Sequence, residues 1–196
     1  MLNIDNTFEV IFLAGFILGS VIRKVYTFRA RGSKTANKRK SVLDIVLISA
    51  GGVGLAAPLF YLFTSWLGFA DYDLPGWIGW VGTAVFAGAL LLLWRSHADL
   101  GRNWSATLKV REGHTLVTAG VYRYMRHPMY AAHWLWAIAQ ALLIENWLAG
   151  LALLVTFLPL CLIRIPREEE MMLENFGEEY RQYMNRTGRL IPRLRR

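Results

Sequence analysis

The chain has 196 residues, of which 55% are hydrophobic and 18% are charged. This composition is too apolar for an ordinary soluble domain, and it excludes a disordered chain. The formal net charge is +8, but a soluble nucleic-acid-binding domain does not fit so hydrophobic a sequence. The single cysteine, Cys161, lies in an apolar run and has no second thiol for an internal disulfide or a thiolate metal site.

Five uncharged or nearly uncharged stretches are long enough to cross the hydrocarbon core of a bilayer, which is about 30 Å thick. They are residues 6–22, 45–70, 74–94, 127–144 and 146–163. The first contains only Glu9, near its start, and the last two are separated only by Glu145, which predicts a helical hairpin. The pattern therefore predicts an all-α integral membrane protein with five transmembrane helices.

The 22 basic residues are confined to three segments, Arg23–Lys40, Arg95–Arg126 and Arg164–Arg196, which hold eight, six and eight of them. The other connections carry only acidic residues, as does the stretch before the first span. Basic segments stay on the cytoplasmic side of a membrane protein. We therefore expect the N-terminus outside, and the C-terminus and the three basic segments in the cytoplasm.

The sequence predicts a single domain over residues 1–196, whose two parts differ in character. Residues 1–94 hold the first three membrane helices. Residues 95–196 form a catalytic half that contains a long polar cytoplasmic loop, the helical hairpin and a polar C-terminal segment. Long loops in compact proteins are often functional, so we expect the loop to contribute to a site.

The C-terminal segment has the pattern of an amphipathic helix on the cytoplasmic side. Pro166 stands where a first helical residue is expected, and the three carboxylates of Glu168–Glu170 follow in the first turn. Aromatic or apolar residues then recur at spacings of three and four, which places them on one helix face. They are Met172, Phe176, Tyr180 and Tyr183.

Two polar groups at the ends of the last two spans are candidates for chemistry. Arg126-His127-Pro128 enters the fourth span, and fits either a helix anchor at the interface or an anion-binding helix N-terminus. Arg164 ends the fifth span, and Glu168 and Glu169 follow about one helical turn later. These residues fit either a membrane-boundary arginine followed by an acidic helical turn, or a set of reactive groups. His133, inside the fourth span, is interpreted as a core histidine.

Motifs of several enzyme classes are missing from the sequence. It contains no Gly-rich dinucleotide fingerprint, phosphate loop, His-Glu-x-x-His zinc motif or Gly-x-Ser-x-Gly elbow. We therefore expect no metal site, and nucleoside triphosphate and serine hydrolase chemistry are disfavoured.

A set of motifs between Gly101 and Pro192 occurs in a specific order. The motifs are Gly101-Arg-Asn-Trp-Ser105, His114-x-Leu-Val-x-x-Gly120-x-Tyr122, Arg126-His-Pro-Met-Tyr130, Arg164-x-Pro-x-Glu-Glu-Glu170, Phe176-Gly-x-x-Tyr180-x-x-Tyr183 and Thr187-Gly-Arg-Leu-x-Pro192. Together they resemble the isoprenylcysteine carboxyl methyltransferase family, within a wider group that includes membrane phospholipid methyltransferases. The likeness is greatest to its short five-helix prokaryotic members.

The resemblance implies a site for S-adenosylmethionine formed by the loop and the last helices. By position, the residues that would bind this cofactor are His114, Leu116, Val117, Gly120, Tyr122, Arg126, His127, Pro128 and Tyr130. Arg164 and Glu169 match a pair that the family keeps near the reacting groups, with Glu168 as the neighbouring alternative.

The resemblance also implies methyl transfer to a membrane-associated acceptor, with the carboxylate of an isoprenylcysteine-like compound as the leading expectation. The expected partners are a lipid or a prenylated small molecule or peptide and the bilayer itself, without nucleic acid or metal. Two alternatives stay open at this point: N-methylation of a phospholipid amine, and an NADPH-dependent membrane reductase that carries a similar Arg-His-Pro segment.

Overall fold

The computed structural model describes residues 6–30, 42–101 and 116–193. These residues form five α-helices and two short 3-10 turns, at Gly68–Ala70 and Gly120–Arg123. The helices are α1 (Thr7–Ala30), α2 (Val42–Phe63), α3 (Gly76–Leu100), α4 (Pro128–Leu143) and α5 (Trp147–Arg186). The all-helical class is confirmed.

Three of the helices, α2, α3 and α5, are long and apolar enough to cross a membrane. The 16 residues of α4 extend about 24 Å, which is less than the hydrocarbon thickness. Large apolar side chains such as Val53, Leu91, Val155 and Leu162 lie exposed on the outer faces of the three long helices. Such faces need lipid around them, so the chain is an integral membrane protein. The count of five spans stays a prediction.

The helices pack around an aromatic core in which α3 contacts α4, α2 contacts α5, and α1 lies against α3. Phe86 of α3 stacks on Phe12 of α1 at 5.5 Å between ring centroids and meets Trp136 of α4 edge-on at 4.9 Å. Gly54 of α2 lies so close to α5 that a Cβ atom there would be 2.0 Å from Thr156 Oγ1. Small residues thus permit close packing in this bundle, as expected for membrane helices.

The predicted helical hairpin is confirmed, since α4 ends at Leu143 and α5 begins at Trp147. Asn146 is the N-cap of α5, and its side-chain oxygen accepts hydrogen bonds from the amides of Leu148 and Ala149. Its amide group donates to the Leu67 carbonyl and to Asp71 Oδ1, both at 2.7 Å. One buried side chain therefore ties the α4–α5 connection to the α2–α3 connection.

Replacing Asn146 with Ala should lower the free energy of unfolding by about 2–3 kcal/mol, because the helix loses its cap and buried carbonyl and amide groups lose their partners. Thermal unfolding in detergent, followed by tryptophan fluorescence, measures the change. Asn175→Ala is the matched control, since Asn175 is exposed and donates only to a carbonyl of its own helix among the described residues. Equal melting temperatures for the two variants would contradict the role given to Asn146.

The C-terminal amphipathic helix does not begin at Pro166, as predicted, but is separated from the rest of α5 by a kink at Gly177. The helix continues from Trp147 through Pro159 and Pro166, and its only non-helical backbone is at Gly177, with φ 52° and ψ −123°. Proline at position 166 costs one backbone hydrogen bond, but Arg164 and Glu168 form an ion pair across it. The amphipathic pattern is present after the break, where Tyr180 and Tyr183 are buried.

Candidate functional site

The site forms where three segments meet beyond the apolar part of α5. These are the residues just before α4, the portion of α5 after Ile163, and the C-terminal segment after α5. Arg126 N donates to the Gly188 carbonyl at 2.9 Å, and His127 N donates to the Arg189 carbonyl at 3.0 Å. Residues far apart in the sequence are thus brought together by backbone pairing.

Pro128 is the first helical residue of α4, and His127 before it has the non-helical angles φ −123° and ψ 59°. Proline suits this position because its missing amide has no helical partner there. The turn aims the His127 imidazole towards α5 instead of along its own helix, and the imidazole is buried.

Glu169 is the most highly connected carboxylate of the site and is 5% exposed. Its Oε1 atom accepts hydrogen bonds from Arg126 Nε at 2.9 Å and from His127 Nε2 at 3.3 Å, and its Oε2 atom accepts from Arg189. Burial alone would raise the pKa of Glu169, but these three donors outweigh it and hold the pKa well below its usual range. Glu169 is therefore a fixed anion.

Arg126 connects Glu169 to the end of α5. Its Nη1 atom donates to the carbonyls of Met184 and Thr187, at 3.1 and 2.6 Å. Carbonyls in the last turn of a helix have no partner within the helix, so the guanidinium also caps α5.

His127 lies between the two carboxylates. Its Nε2 atom is 3.3 Å from Glu169 Oε1, and its Nδ1 atom is 3.6 Å from Glu168 Oε2. Burial lowers the pKa of His127, but hydrogen bonds and charge from Glu168 and Glu169 outweigh burial and raise it above the ordinary value of 6.5. The geometry favours an imidazolium that donates to Glu169 and forms an ion pair with Glu168.

The stabilising contribution of His127 should depend on pH. Because its pKa is raised on folding, the contribution is fully present below about pH 6.5 and is lost as the pH rises through the folded-state pKa. We expect wild type to exceed His127→Gln in melting temperature by several degrees at pH 6, with a smaller difference at pH 9. Thermal unfolding of both proteins across this range measures it, and a difference that grows with pH would contradict the assignment.

Arg164 and Glu168 form a second ion pair beside the first. Arg164 Nη2 donates to Glu168 Oε1 at 3.2 Å, and the hydroxyl of Tyr130 donates to the same oxygen. The Nε atom of Arg164 is buried and has no hydrogen-bond partner among the described residues. A buried guanidinium N–H without an acceptor is costly, so this atom is available to donate to a further acceptor.

Tyr122 lies at the other edge of the site, against the end of α3. Its hydroxyl donates to the Ser96 carbonyl at 3.3 Å, and its own carbonyl accepts from Tyr183 at 2.6 Å. Gly120 has a positive φ of 60°, and a Cβ atom there would lie 2.1 Å from Asp99 Oδ2. Asp99 in turn accepts from the Val121 amide at 2.8 Å, so Gly120 is required for this turn.

The residues predicted from the sequence thus separate into two neighbouring groups. The structure joins Arg126, His127, Tyr130, Arg164, Glu168 and Glu169 by hydrogen bonds and ion pairs. Gly120 and Tyr122 pack on α3, with Leu116 and Val117 partly buried on the segment that leads to them. Pro128 is buried at the start of α4. His114 lies outside the described residues.

Arg164 and Glu169, predicted from the sequence to lie near the reacting groups, have different partners in the structure. Arg164 donates to Glu168, whereas Glu169 accepts from Arg126, His127 and Arg189. Sequence reasoning missed Arg189 as a site residue. Arg189 belongs to the Thr187-Gly-Arg-Leu motif identified from the sequence, but the spacing of that motif does not show which carboxylate Arg189 contacts. Within the described residues, no group of three or more metal-ligating side chains is arranged for a metal ion.

The fold and the charged cluster define an integral membrane protein with a polar site at one end of its apolar helices. The arrangement resembles a solved structure of the eukaryotic intramembrane Ras methyltransferase, isoprenylcysteine carboxyl methyltransferase. The TM-score is 0.60 at 21% sequence identity, over 97% of this chain and 69% of the other. The likeness shows a shared fold.

Residues 80–174 match the model of the isoprenylcysteine carboxyl methyltransferase family, which confirms the resemblance carried by the motifs. The chain is 30% identical to protein-S-isoprenylcysteine O-methyltransferase B of Arabidopsis thaliana, over 59% of this chain and 60% of the relative. It is 35% identical to the Homo sapiens protein-S-isoprenylcysteine O-methyltransferase, over 40% of this chain and 28% of the relative.

The Saccharomyces cerevisiae relative of the same name is also 35% identical, over 47% of this chain and 39% of the relative. The chain therefore spans between 28% and 60% of the length of these three relatives. All three are eukaryotic, so the likeness to short prokaryotic members stays a prediction.

Proposed function

We propose that this protein transfers a methyl group from S-adenosylmethionine to the carboxylate of a membrane-associated acceptor of the isoprenylcysteine type. The family match over residues 80–174 and the relatives' names support this activity over phospholipid N-methylation and reduction. The structural observation that carries the proposal is the buried Nε atom of Arg164, which has no acceptor among the described residues.

Arg164 suits the recognition of a carboxylate. Its guanidinium is planar, and its Nε and one Nη can donate in parallel to the two oxygens of a carboxylate. It lies at the end of the apolar part of α5, with Leu162 exposed on the outer face just before it. A lipid-attached acceptor could thus keep its chain in the bilayer while its carboxylate meets Arg164.

Glu168 keeps Arg164 in place before the acceptor binds. Its Oε1 atom accepts from both Arg164 and Tyr130, and its side chain is 20% exposed compared with 5% for Glu169. We assign Glu168 to hold the guanidinium and Glu169 to hold His127 and Arg126. A carboxylate acceptor is already anionic, so neither glutamate is needed as a general base.

We assign Tyr122 and Tyr130 to the methyl donor. Tyr130 packs edge-on against His127, with 5.6 Å between the ring centroids, and the face of a tyrosine ring attracts a sulfonium cation. When bound, S-adenosylmethionine would supply an activated methyl group to the acceptor carboxylate, with its neutral thioether as the leaving group. The protein's own contribution is to hold the donor and the carboxylate in line and to exclude water.

The proposed topology has five spanning helices, with the N-terminus outside and the C-terminus and the site in the cytoplasm. The distribution of basic residues supports it. Asp71 and Asn146, at the opposite end of the bundle, belong to connections that carry only acidic charges. A polar donor would then reach the site from the cytosol, and a lipid-attached acceptor from the bilayer.

The proposal is tested with the purified protein in lipid nanodiscs and S-adenosylmethionine labelled in its methyl group. We expect label in the base-labile methyl ester of an N-acetylated prenylcysteine, and none in phosphatidylethanolamine. Calorimetry should show one bound S-adenosylmethionine per chain. Label found only in the phospholipid would show that the acceptor is a phospholipid and not a prenylcysteine. The absence of cofactor binding would refute the proposal as a whole.

A further inference from the structure

The two oxygens of Glu169 are used by different partners. Oε1 accepts from Arg126 at 2.9 Å and from His127 at 3.3 Å, while Oε2 accepts from Arg189. A carboxylate rotates readily about the bond that joins it to its side chain. The contact with Arg189 opposes this rotation, so it holds the plane of the carboxylate in the orientation that keeps one oxygen facing the imidazole.

Arg189 reaches Glu169 from a segment that the backbone itself fixes. Gly188 N donates to the Tyr124 carbonyl at 3.1 Å, and the Gly188 and Arg189 carbonyls accept from Arg126 and His127. The side chain of Arg189 is 52% exposed, whereas that of Glu169 is 5% exposed. The guanidinium therefore lies at the mouth of the site, with a buried carboxylate behind it.

An exposed arginine contributes little to stability in general, because solvent screens its charge. The geometry assigns Arg189 a different use. We propose that Arg189 is a positioning residue that fixes the orientation of the Glu169 carboxylate plane, so that one carboxylate oxygen stays presented to His127 and Arg126 during methyl transfer. The inference rests on the proposed function, since it concerns the same site.

A first test measures the pKa of His127 in the protein without any ligand. Among the described residues, the charged or titratable groups around His127 are Glu168 and Glu169 from α5, Arg189 from the C-terminal segment, Arg126 beside it and Tyr130 from α4. Removing the Arg189 charge alone would raise the pKa of His127. If Glu169 instead turns away from the imidazole, the pKa of His127 falls towards 6.5.

We therefore expect a lower His127 pKa in Arg189→Gln, measured by NMR of protein labelled with ¹⁵N-histidine. His127→Gln assigns the signal among the four histidines. Arg189→Lys should keep the wild-type value, because an ammonium can still donate to Oε2. Arg193→Gln is the matched control in the same segment, since its side chain donates to the Asn185 carbonyl. A raised or unchanged pKa in Arg189→Gln overturns the proposal.

A second test uses cofactor affinity in a double-mutant cycle. Arg189→Gln should weaken S-adenosylmethionine binding about tenfold when Glu169 is present, and should have no further effect in Glu169→Gln. Equal effects in both backgrounds would show that Arg189 does not act through Glu169. If wild type binds no S-adenosylmethionine, the proposed function fails, whereas the histidine titration still decides the role of Arg189.

Discussion

Replacing Arg164 with Gln should reduce methyl transfer at least about a thousandfold while the protein stays folded and inserted. The guanidinium has one Nη bonded to Glu168, and its buried Nε has no partner among the described residues. If the acceptor carboxylate binds there through two charge-assisted hydrogen bonds, glutamine cannot replace them, and the loss is about 4 kcal/mol or more of transition-state stabilisation. Label transferred to a prenylcysteine ester measures the rate.

Arg167→Gln is the matched control, because Arg167 lies on the same helix three residues later and is exposed. It should retain near-wild-type turnover. S-adenosylmethionine affinity should change less than about threefold in Arg164→Gln, since we assign this arginine to the acceptor. A variant that keeps its rate, or one that loses cofactor binding as completely as turnover, would show that Arg164 has another role.

The sequence predicts the helices of this protein better than it predicts the contacts between their ends. The helices and the hairpin follow from runs of apolar residues, whose burial in lipid depends only on local composition. The helix start predicted at Pro166 is the exception. Proline usually stands in the first turn of a helix, but here α5 continues through Pro166, and Arg164 and Glu168 form an ion pair across it.

The composition of the site could be predicted, but its pairing could not. The order of the motifs predicts Glu168, Glu169, Arg126, His127 and Arg164 as site residues. Adjacent residues on a helix point in directions about 100° apart, so Glu168 and Glu169 face different partners, and sequence spacing does not reveal which.

Arg189 was missed because it reaches Glu169 only after its segment pairs with the residues before α4. Such backbone pairing depends on the three-dimensional path of the chain and leaves no periodic signal in the sequence. The same path explains why Arg126 caps the end of α5, although more than fifty residues separate it from Met184 and Thr187.

Substitution of the two neighbouring glutamates should separate stability from catalysis. Glu169→Gln removes the buried negative charge that pairs with both Arg126 and His127. The glutamine side chain would also place its NH₂ group, a hydrogen-bond donor, against a group that itself donates. Because breaking a buried ion pair leaves its partner uncompensated, the free energy of unfolding should fall by about 3 kcal/mol. The exposed Arg189 should contribute little of this.

Glu168→Gln should lower the free energy of unfolding by less than Glu169→Gln does, because its side chain is the more exposed of the two, at 20%, and its amide oxygen can still accept from Tyr130 and Arg164. Turnover should nevertheless fall about ten- to a hundredfold, since a neutral amide holds the Arg164 guanidinium less firmly. Thermal unfolding in detergent and initial rates at saturating S-adenosylmethionine measure the two effects on the same preparations. Equal losses of stability in the two variants would contradict the separate roles, and so would full activity in Glu168→Gln.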